Sequence, residues 1–366
     1  KAGEAAAPEH RGGPRRPWSR SALAAALCSP DVVLAVAQPA GSLATCALRA
    51  VSRSVGQVVV GILPAALERC FVGLCVCGGT DGRSFAASAE IYDPRGGRWR
   101  PLPEMPEGRL NADAAAVVGR LWVCGGVNTE EVCSLRSCMR FDPSASSWEA
   151  AEPMARRRRA AAAVALGGRL YICGGATDGS AERFDPQTGT WEVLPPMPER
   201  HGGYVAAAAV ADRLYVCGGM WQGQYLRAVS RFDPSTGAWE ALPPMLQGRN
   251  SAVAAGMAGE LYVCGGSAAS GDLRSAERLR PPGAEAEGTD AEEGARSGWV
   301  SLPALQRPRA GAAGAALARR FFVCGGACGG EVLRSVEAFS LETGAWETVA
   351  SMSRPRRFAA AAVLIT

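Results

Sequence analysis

Short apolar runs that end in two glycines recur along most of the chain. In one copy, residues 214–217 (Leu-Tyr-Val-Cys) are β-branched, aromatic or apolar and are followed by Gly218-Gly219, a pattern typical of a strand. The small apolar stretch 204–210 before it predicts another strand. Residues 227–232 alternate and end in the turn sequence Asp-Pro-Ser-Thr-Gly, and a short strand over 238–242 follows. The unit therefore predicts four strands, a to d, joined by turns.

Six copies of this unit are present. The glycine pairs are Gly78-Gly79, Gly125-Gly126, Gly174-Gly175, Gly218-Gly219, Gly265-Gly266 and Gly325-Gly326, and the tryptophans that follow them are Trp99, Trp148, Trp191, Trp239, Trp299 and Trp346. Successive pairs are 44 to 49 residues apart, except for a last interval of 60. A period of this length with several short strands per copy predicts a β-propeller with one blade per repeat.

Alanine runs at 160–163, 206–209 and 359–362 would ordinarily favour helix. Each precedes a turn and strand b within a few residues, so we predict that they are the innermost strands, where six blades converge and space is least. The Gly-Gly pairs then supply backbone freedom and close approach, and each tryptophan fills the gap between neighbouring blades.

This pattern resembles the kelch repeat over residues 70–366. The resemblance implies an all-β fold, a six-bladed kelch propeller, preceded here by a short α-helical segment. The first repeat has no good strand a, whereas Arg354–Thr366 reads as a strand a with no blade after it. We therefore predict that the C-terminal strand closes the ring, which leaves no exposed inner edge. The alternative strand a, Val55–Leu63, lies far from Gly78 compared with the other repeats.

The N-terminal region differs in composition from the repeats. Residues 1–20 are basic and rich in glycine and proline, which predicts a disordered tail, with nuclear targeting as a second interpretation. Residues 21–65 predict helices too short and interrupted to span a membrane. Residues 28–55 are similar to an F-box, and the matching positions are Pro30, Asp31, Val32, Leu34, Leu43, Cys46, Val51, Ser52 and Arg53. The central aromatic-leucine-proline and a tryptophan after Arg53 are missing, so a generic helical cap remains the alternative.

The composition argues against a catalytic site, a metal site and nucleic-acid binding. The only histidines are His10 and His201, which leaves no Ser/His/Asp set and no His-rich metal site. One folded-region histidine also cannot supply the copper site of galactose-oxidase-like kelch propellers, and sialidase-type boxes are absent. We therefore predict no catalytic residues and no cofactor. The net charge of +4 is modest and the run 156–159 is short, which argues against nucleic acid.

The 13 cysteines predict buried packing. Six occupy one repeat position: Cys77, Cys124, Cys173, Cys217, Cys264 and Cys324. Cys133/Cys138 and Cys324/Cys328 are close enough in sequence to pair, but neither spacing is a metal motif. Many unpaired thiols favour a reducing compartment. We therefore expect the protein in the cytoplasm, with the nucleus as a further location. The chain starts with lysine, as in a fragment or processed protein, and shows no secretory signal.

Basic residues mark the loops from strand d to strand a. Arg109, Arg158, Arg249 and Arg309 stand 16 residues before a Gly-Gly pair, Arg200 and His201 lie in the loop between blades three and four, and Arg356 and Arg357 precede the closing strand. Six basic positions around one mouth predict a positive potential that suits an acidic partner segment. Similar kelch receptors bind acidic peptides with arginines in these loops. The alternative is that these arginines pair with blade glutamates such as Glu90, Glu182, Glu277 and Glu337.

The loops between strands b and c are expected on the same face. Trp221 and Tyr225 are candidate anchors for a partner, although Trp221 could instead pack on its blade. Blade five carries an acidic loop, 281–296, between strands c and d. The family resemblance implies a protein-binding module, most concretely the substrate-recognition subunit of a cullin-type ubiquitin ligase, joined to its adaptor through residues 28–55. A cytoskeletal or signalling scaffold and, remotely, an enzyme that uses the mouth are the alternatives.

Overall fold

The six repeats form six four-stranded antiparallel sheets, each with strands in the order a-b-c-d. The computed structural model describes residues 71–129, 133–175, 179–281 and 298–365, and these contain no helix. The predicted tail 1–20, the helical segment 21–65 with its F-box positions, and the acidic loop beyond Pro281 lie outside the described residues. The six-bladed propeller and its all-β class are confirmed.

The strands are numbered in chain order. Blade one contains β1 (Val72–Cys77), β2 (Ala89–Asp93) and β3 (Arg98–Leu102), and blade two β4 (Asp113–Val117), β5 (Arg120–Cys124), β6 (Cys138–Asp142) and β7 (Ser147–Ala151). Blade three contains β8 (Ala162–Leu166), β9 (Arg169–Cys173), β10 (Ala181–Asp185) and β11 (Thr190–Val193). Blade four contains β12 (Ala206–Val210), β13 (Arg213–Cys217), β16 (Val229–Asp233) and β17 (Ala238–Ala241), with a small hairpin of β14 (Met220–Trp221) and β15 (Gln224–Tyr225).

Blades five and six carry similar hairpins between strands b and c. Blade five contains β18 (Val253–Met257), β19 (Glu260–Cys264), β22 (Ala276–Leu279) and β23 (Trp299–Leu302), with the hairpin β20 (Ser267–Ala268) and β21 (Gly271–Asp272). Blade six contains β24 (Ala313–Leu317), β25 (Arg320–Cys324), β28 (Val336–Ser340) and β29 (Ala345–Val349), with the hairpin β26 (Ala327–Cys328) and β27 (Glu331–Val332). The last strand is β30 (Ala360–Ile365).

The C-terminal strand closes the ring, as the sequence predicted. β30 is strand a of blade one and pairs antiparallel with β1, from Val72 opposite Ile365 to Cys77 opposite Ala360. Strand a of blade one is the last strand of the chain, and its strands b to d are the first three. Blade one therefore joins the two ends of the propeller. β1 has β2 and β30 on its two edges, and the alternative strand 55–63 lies outside the described residues.

Alanine strands and tryptophans pack the blades together. In the cluster between blades three and four, Ala162 and Tyr171 contact the layer that contains Leu214 and Phe232. Five repeat tryptophans donate the indole N–H to a carbonyl at the end of strand d in the preceding blade; for example, Trp148 Nε1 lies 2.8 Å from the oxygen of Pro103. The repeat cysteines are all buried, which confirms their packing role.

The Gly-Gly pairs are required by close approach. Gly125 and Gly126 have φ of +65° and +87°. An added Cβ would lie 2.5 Å from the carbonyl oxygen of Arg158 at Gly125, and 2.7 Å from that of Leu110 at Gly126. Only glycine combines this conformation with this spacing, so the pair lets the loop before strand a lie directly on the end of strand b.

Ion pairs mark the opposite end of the blades. Arg120, at the start of strand b in blade two, lies 2.8 Å from Asp142 in the c–d turn, and Arg213 lies 2.6 Å from Asp233 in blade four. Blade five reverses both charges, because Glu260 starts its strand b and pairs with Arg280 at 2.9 Å. The pair is common to several of these turns but is not required, because blade six has Ser340 opposite Arg320.

Candidate functional site

Buried arginines join adjacent blades beneath the mouth, the face that carries the d–a and b–c loops. The backbone of Arg158 pairs with blade two, where its oxygen accepts the N–H of Gly126 at 2.8 Å. Its guanidinium enters blade three, where Nη1 donates to the oxygens of Gly174 and Ser180 at 2.6 Å each. Nε donates to Glu182 at 2.6 Å. Both side chains of this ion pair are fully buried, so Arg158 fastens two blades and has no surface to offer a partner.

The same arrangement recurs around the ring. Arg109, Arg158, Arg249, Arg309 and Arg356 are each 2% exposed or less, and each donates to the first glycine carbonyl of its Gly-Gly pair. The prediction that Arg109, Arg158, Arg249 and Arg309 present positive charge at the mouth is therefore wrong. The alternative pairing with Glu182, Glu277 and Glu337 is what the structure shows for the last three, and Arg356 pairs with Glu90.

His201 takes the arginine's place in blade four. It is fully buried, with Nδ1 at 3.1 Å from the oxygen of Gly218 and Nε2 at 2.9 Å from Ser230 Oγ. Burial lowers the pKa of His201 to about 4, so the ring is neutral at physiological pH. The prediction that His201 contributes charge to a partner site is also wrong, because a neutral His–Ser pair here replaces the Arg–Glu pair.

A closed ring of backbone hydrogen bonds encircles the axis at the mouth. The residue two positions before each strand a has a left-handed φ of 49° to 60°. These six residues are Asn111, Ala160, Tyr204, Ser251, Gly311 and Phe358. Each donates its N–H to the carbonyl of the corresponding residue in the preceding blade, at 2.6 to 3.2 Å. Five of the six are not glycine, so the ring holds conformations that cost about 1–2 kcal/mol each. Such strain is typical of functional sites held by their surroundings.

Two aromatic rings from opposite blades meet over the axis. Tyr204 leads into blade four and Phe358 into blade one, and their ring centroids are 6.0 Å apart at 55°. Below them the channel holds a cavity of about 120 Å³ lined mainly by the alanine strands. The tyrosine–phenylalanine pair therefore covers the mouth of the channel and presents an aromatic floor to the outside.

Asp113 is the one acidic residue that lines this cavity among the described residues. Its Oδ2 accepts the N–H of Ala163 in blade three at 2.8 Å, and its Oδ1 accepts that of Ala114 at 2.9 Å. Burial raises the pKa of Asp113 to about 7, and the two N–H donors lower it in part. At equivalent positions the other blades have alanine or valine, so the carboxyl is particular to blade two.

This carboxyl predicts a pH-dependent stability. Its folded pKa of about 7 lies above the unfolded value of 3.8, so the stability that the neutral form provides is complete below about pH 4 and is lost as the pH rises through 7. The loss is at most about 4 kcal/mol. The variant Asp113→Asn cannot ionise. In urea unfolding, its free energy of unfolding minus that of the native chain is therefore expected to be larger at pH 8 than at pH 4.5. An equal difference at both values would contradict a raised pKa.

Three arginines of the mouth lie beside its aromatic rings or its backbone ring. Arg200 is exposed, and its guanidinium lies 5.3 Å from the ring centroid of Trp221. Arg357 is half-buried, lies 5.6 Å over the Phe358 ring, and has a buried Nε that donates no hydrogen bond among the described residues. Arg159 is exposed beside the backbone ring. A guanidinium stacked on an aromatic face keeps its outer N–H groups directed at solvent, where they can bind a carboxylate in bidentate fashion.

Small hairpins between strands b and c extend from three neighbouring blades on one side of the mouth. β14–β15, β20–β21 and β26–β27 stand on blades four, five and six, and Gly329 N donates to Asp272 Oδ2 at 3.0 Å between the last two. Trp221 and Tyr225 lie half-buried in the first hairpin. The acidic side chain of Glu331 pairs with Arg307. The site is therefore asymmetric. The hairpins form an aromatic and polar wall on one side, where Arg200 stacks on Trp221, and Arg159 and Arg357 lie at blades three and one on the other side.

Of the predicted site residues, Arg200, Arg357, Trp221 and Tyr225 lie at the mouth surface, and their role stays a prediction. The b–c and d–a loops do share one face, since Leu110 pairs with Val127 and Asn250 with Ser267 across it. Sequence reasoning missed the ring residues and Arg159. Aligning the repeats on the buried arginine would have found Arg159, because it is the next residue along the chain and corresponds to Arg357 in the closing repeat.

The model of the kelch motif matches residues 76–106, 108–155, 157–198, 201–246 and 308–353. The chain therefore belongs to the kelch family, whose propellers bind protein partners. The stretched fifth repeat is unmatched, yet it folds as a blade. No curated protein matches the chain. The solved structure of YjhT is similar with a TM-score of 0.60 and 16% identity, over 75% of this chain and 96% of that one, and it supports the fold alone.

The described residues contain no group of three or more His, Cys, Asp or Glu side chains that could hold a metal ion. No helix in the same part of the chain is long and apolar enough to cross a membrane.

Proposed function

We propose that the mouth binds an acidic segment of a partner protein through Arg159, Arg200 and Arg357. The observation that carries this proposal is the division among the loop arginines. The buried series is engaged between blades, whereas Arg200 lies beside Trp221, Arg357 lies beside Phe358, and Arg159 is exposed next to the backbone ring. Carboxylates of the partner would pair with the guanidinium groups, and its apolar groups would pack on the aromatic floor.

The buried series also supports this choice by elimination. Arg158 and its counterparts each make three or more hydrogen bonds inside the blades, so withdrawing one to reach a ligand would leave a carboxylate such as Glu182 buried without a partner. Such a vacancy costs several kcal/mol, about as much as a strong ligand contact provides. The mouth cations carry no such cost, which is why ligand binding is assigned to them.

Binding is tested with pairs of labelled ten-residue peptides that differ only by Glu→Gln. Replacing Arg159, Arg200 and Arg357 together by alanine is expected to weaken binding of the glutamate peptides about 3- to 150-fold, since each exposed charge contact contributes about 0.2–1 kcal/mol. Binding should also weaken from 50 to 300 mM salt. The readout is the dissociation constant from fluorescence anisotropy.

The matched control replaces Arg98, Arg169 and Arg213, three arginines at the opposite end of the blades, by alanine. It changes the net charge equally and should leave peptide affinity within about twofold. Equal losses in both triple variants would show that net charge rather than the mouth attracts the peptides, and the proposed site would be abandoned.

We further propose that the partner is a substrate of a cullin-type ubiquitin ligase, which the chain would join through residues 28–55. The F-box-like order of Pro30, Asp31 and the segment ending in Arg53 supports this. Affinity capture with the full chain and with a chain lacking residues 28–55 tests it, with mass spectrometry as readout. Ligase subunits should appear only with the full chain. Their absence from both samples would favour the second candidate, a kelch scaffold without a ubiquitin link.

A further inference from the structure

Blade two places two cysteines directly opposite each other. Cys124 ends strand b and is the register partner of Cys138 at the start of strand c. In every other blade the residue opposite the repeat cysteine is alanine or valine: Ala89, Ala181, Val229, Ala276 and Val336. The pair is therefore specific to this blade and does not follow from the repeat.

The strand register brings the two thiols together. Gly125 N donates to Ser137 O at 3.0 Å, which makes that pair the hydrogen-bonded one. Because hydrogen-bonded and non-hydrogen-bonded pairs alternate, Cys124 and Cys138 form a non-hydrogen-bonded pair, with Cα atoms typically about 4.5 Å apart. Disulfides span Cα separations of about 4.4–6.8 Å. The two side chains also influence each other, since Cys138 contributes to raising the pKa of Cys124.

The buried arginine next to the two cysteines also differs from its counterparts in the other blades. Arg109 bonds the oxygens of Gly125 and Ser137, the residues that follow and precede the two cysteines, at 3.0 and 2.7 Å. Where blade three has Glu182, blade two has Met139, so Arg109 lacks the fully buried carboxylate of its counterparts and pairs instead with Glu107. Its Nε is buried and donates no hydrogen bond among the described residues. Because Glu107 is partly exposed, it neutralises the charge of Arg109 less than a fully buried carboxylate would, and a nearby positive charge favours thiolate formation.

We propose that Cys124 and Cys138 are a redox-modifiable site, a dithiol that peroxides convert to a cross-strand disulfide at the base of the blade-two b–c loop. One thiolate attacks a peroxide oxygen, the O–O bond breaks, and a sulfenic acid and water form. The second thiol attacks the sulfenic sulfur, the S–S bond forms and a second water leaves. In sum, two thiols and one hydrogen peroxide give one disulfide and two waters, and the two sulfurs lose two electrons to the peroxide.

Reactivity is limited by burial. Burial raises the pKa of Cys124 well above its usual value, and Arg109 offsets this only in part. Oxidation of the folded blade is therefore slow, and it accelerates when strands b and c separate locally at the base of the b–c loop. Cys133 is exposed in that loop and competes for the oxidant; its proposed pairing with Cys138 is not the arrangement found, because Cys138 is buried against Cys124.

The test uses the full chain with Cys133→Ser, which removes the competitor. The reduced protein is treated with hydrogen peroxide in buffer and, in a second arm, in sub-denaturing urea that favours local separation of strands b and c. Free thiols are then alkylated in denaturant and peptides are mapped by mass spectrometry. A peptide linked through Cys124 and Cys138, with a mass loss of 2 Da that dithiothreitol reverses, is the expected result. The urea arm should react several-fold faster.

Cys138→Ala is the matched control, because alanine is native at this position in blades one, three and five. It should fold normally and yield no linked peptide. The oxidised chain is expected to melt about 3–8 °C higher than the reduced chain, since the bridge closes a short loop, and the control should show no such shift. Both cysteines recovered as alkylated thiols in both arms, while the peroxide oxidises the half-buried Met197 or Met220, would overturn the proposal.

Discussion

Ending the chain after Ser353 is expected to abolish cooperative folding of the propeller. The truncation removes β30, so β1 loses its whole strand-a ladder and blade one loses the buried side chains of Ala360, Ala362 and Leu364. It also removes Arg356, which leaves Glu90 buried without its partner. These losses together are comparable with the total stability of a domain, about 5–15 kcal/mol. Circular dichroism and urea unfolding should show no native transition.

A rearranged chain provides the control for this truncation. Residues 354–365 are moved to stand directly before Val72, through a two-residue Gly-Gly turn. This turn fits because Ile365 pairs with Val72 as Leu166 pairs with Arg169 across Gly167-Gly168 in blade three. The permuted chain should regain a cooperative transition, because every strand pair is restored. If the truncated chain unfolds with the native midpoint, β30 is not what closes the ring.

Replacing Arg158 with alanine is expected to cost about 3–5 kcal/mol of the free energy of unfolding. The loss exceeds that of an ordinary ion pair because the guanidinium and Glu182 are both fully buried. Removing Arg158 leaves the carboxylate and the oxygens of Gly174 and Ser180 without donors. Urea unfolding measures the loss directly. A cost below about 1 kcal/mol, as for a surface pair, would show that Arg158 does not hold the blades together.

The chain itself supplies the matched control for Arg158. Blade four uses His201 and Ser230 where blade three uses Arg158 and Glu182. The double variant Arg158→His with Glu182→Ser installs the neutral pair and should therefore destabilise much less than Arg158→Ala. By the same reasoning, Arg158→His alone should fall between the two, because Glu182 remains buried. If the double variant is as unstable as the alanine variant, the local geometry of blade four rather than charge balance makes its neutral pair tolerable.

Local sequence patterns were sufficient to predict the propeller. The six Gly-Gly pairs, the tryptophans and the turn sequences specify strands over short distances, and the surplus strand near the C-terminus revealed how the ring closes. The need for glycine was equally predictable, because a left-handed backbone in close contact with a carbonyl admits no Cβ. Each of these features depends on residues near one another in the chain, or on a repeat that shows them several times.

The candidate site was predicted only in part. A regular series of loop arginines looks the same in sequence whether the side chains point to solvent or into the next blade. The orientation of these arginines depends on acceptor groups in the neighbouring blade, such as the carboxylate of Glu182 and the backbone oxygen of Gly174. In sequence Arg158 and Arg159 are adjacent arginines; in the structure one is fully buried and the other exposed.

The number of blades, their strands, the closing strand and the loops that form the mouth all follow from the periodicity and turn chemistry of the chain. Contacts between blades, by contrast, establish which cations are exposed, that Tyr204 and Phe358 meet over the axis, and that Cys124 faces Cys138. The reason is that burial and pairing are properties of two blades in contact. Residues that are distant in the chain or alike in sequence acquire their different roles only when the ring closes.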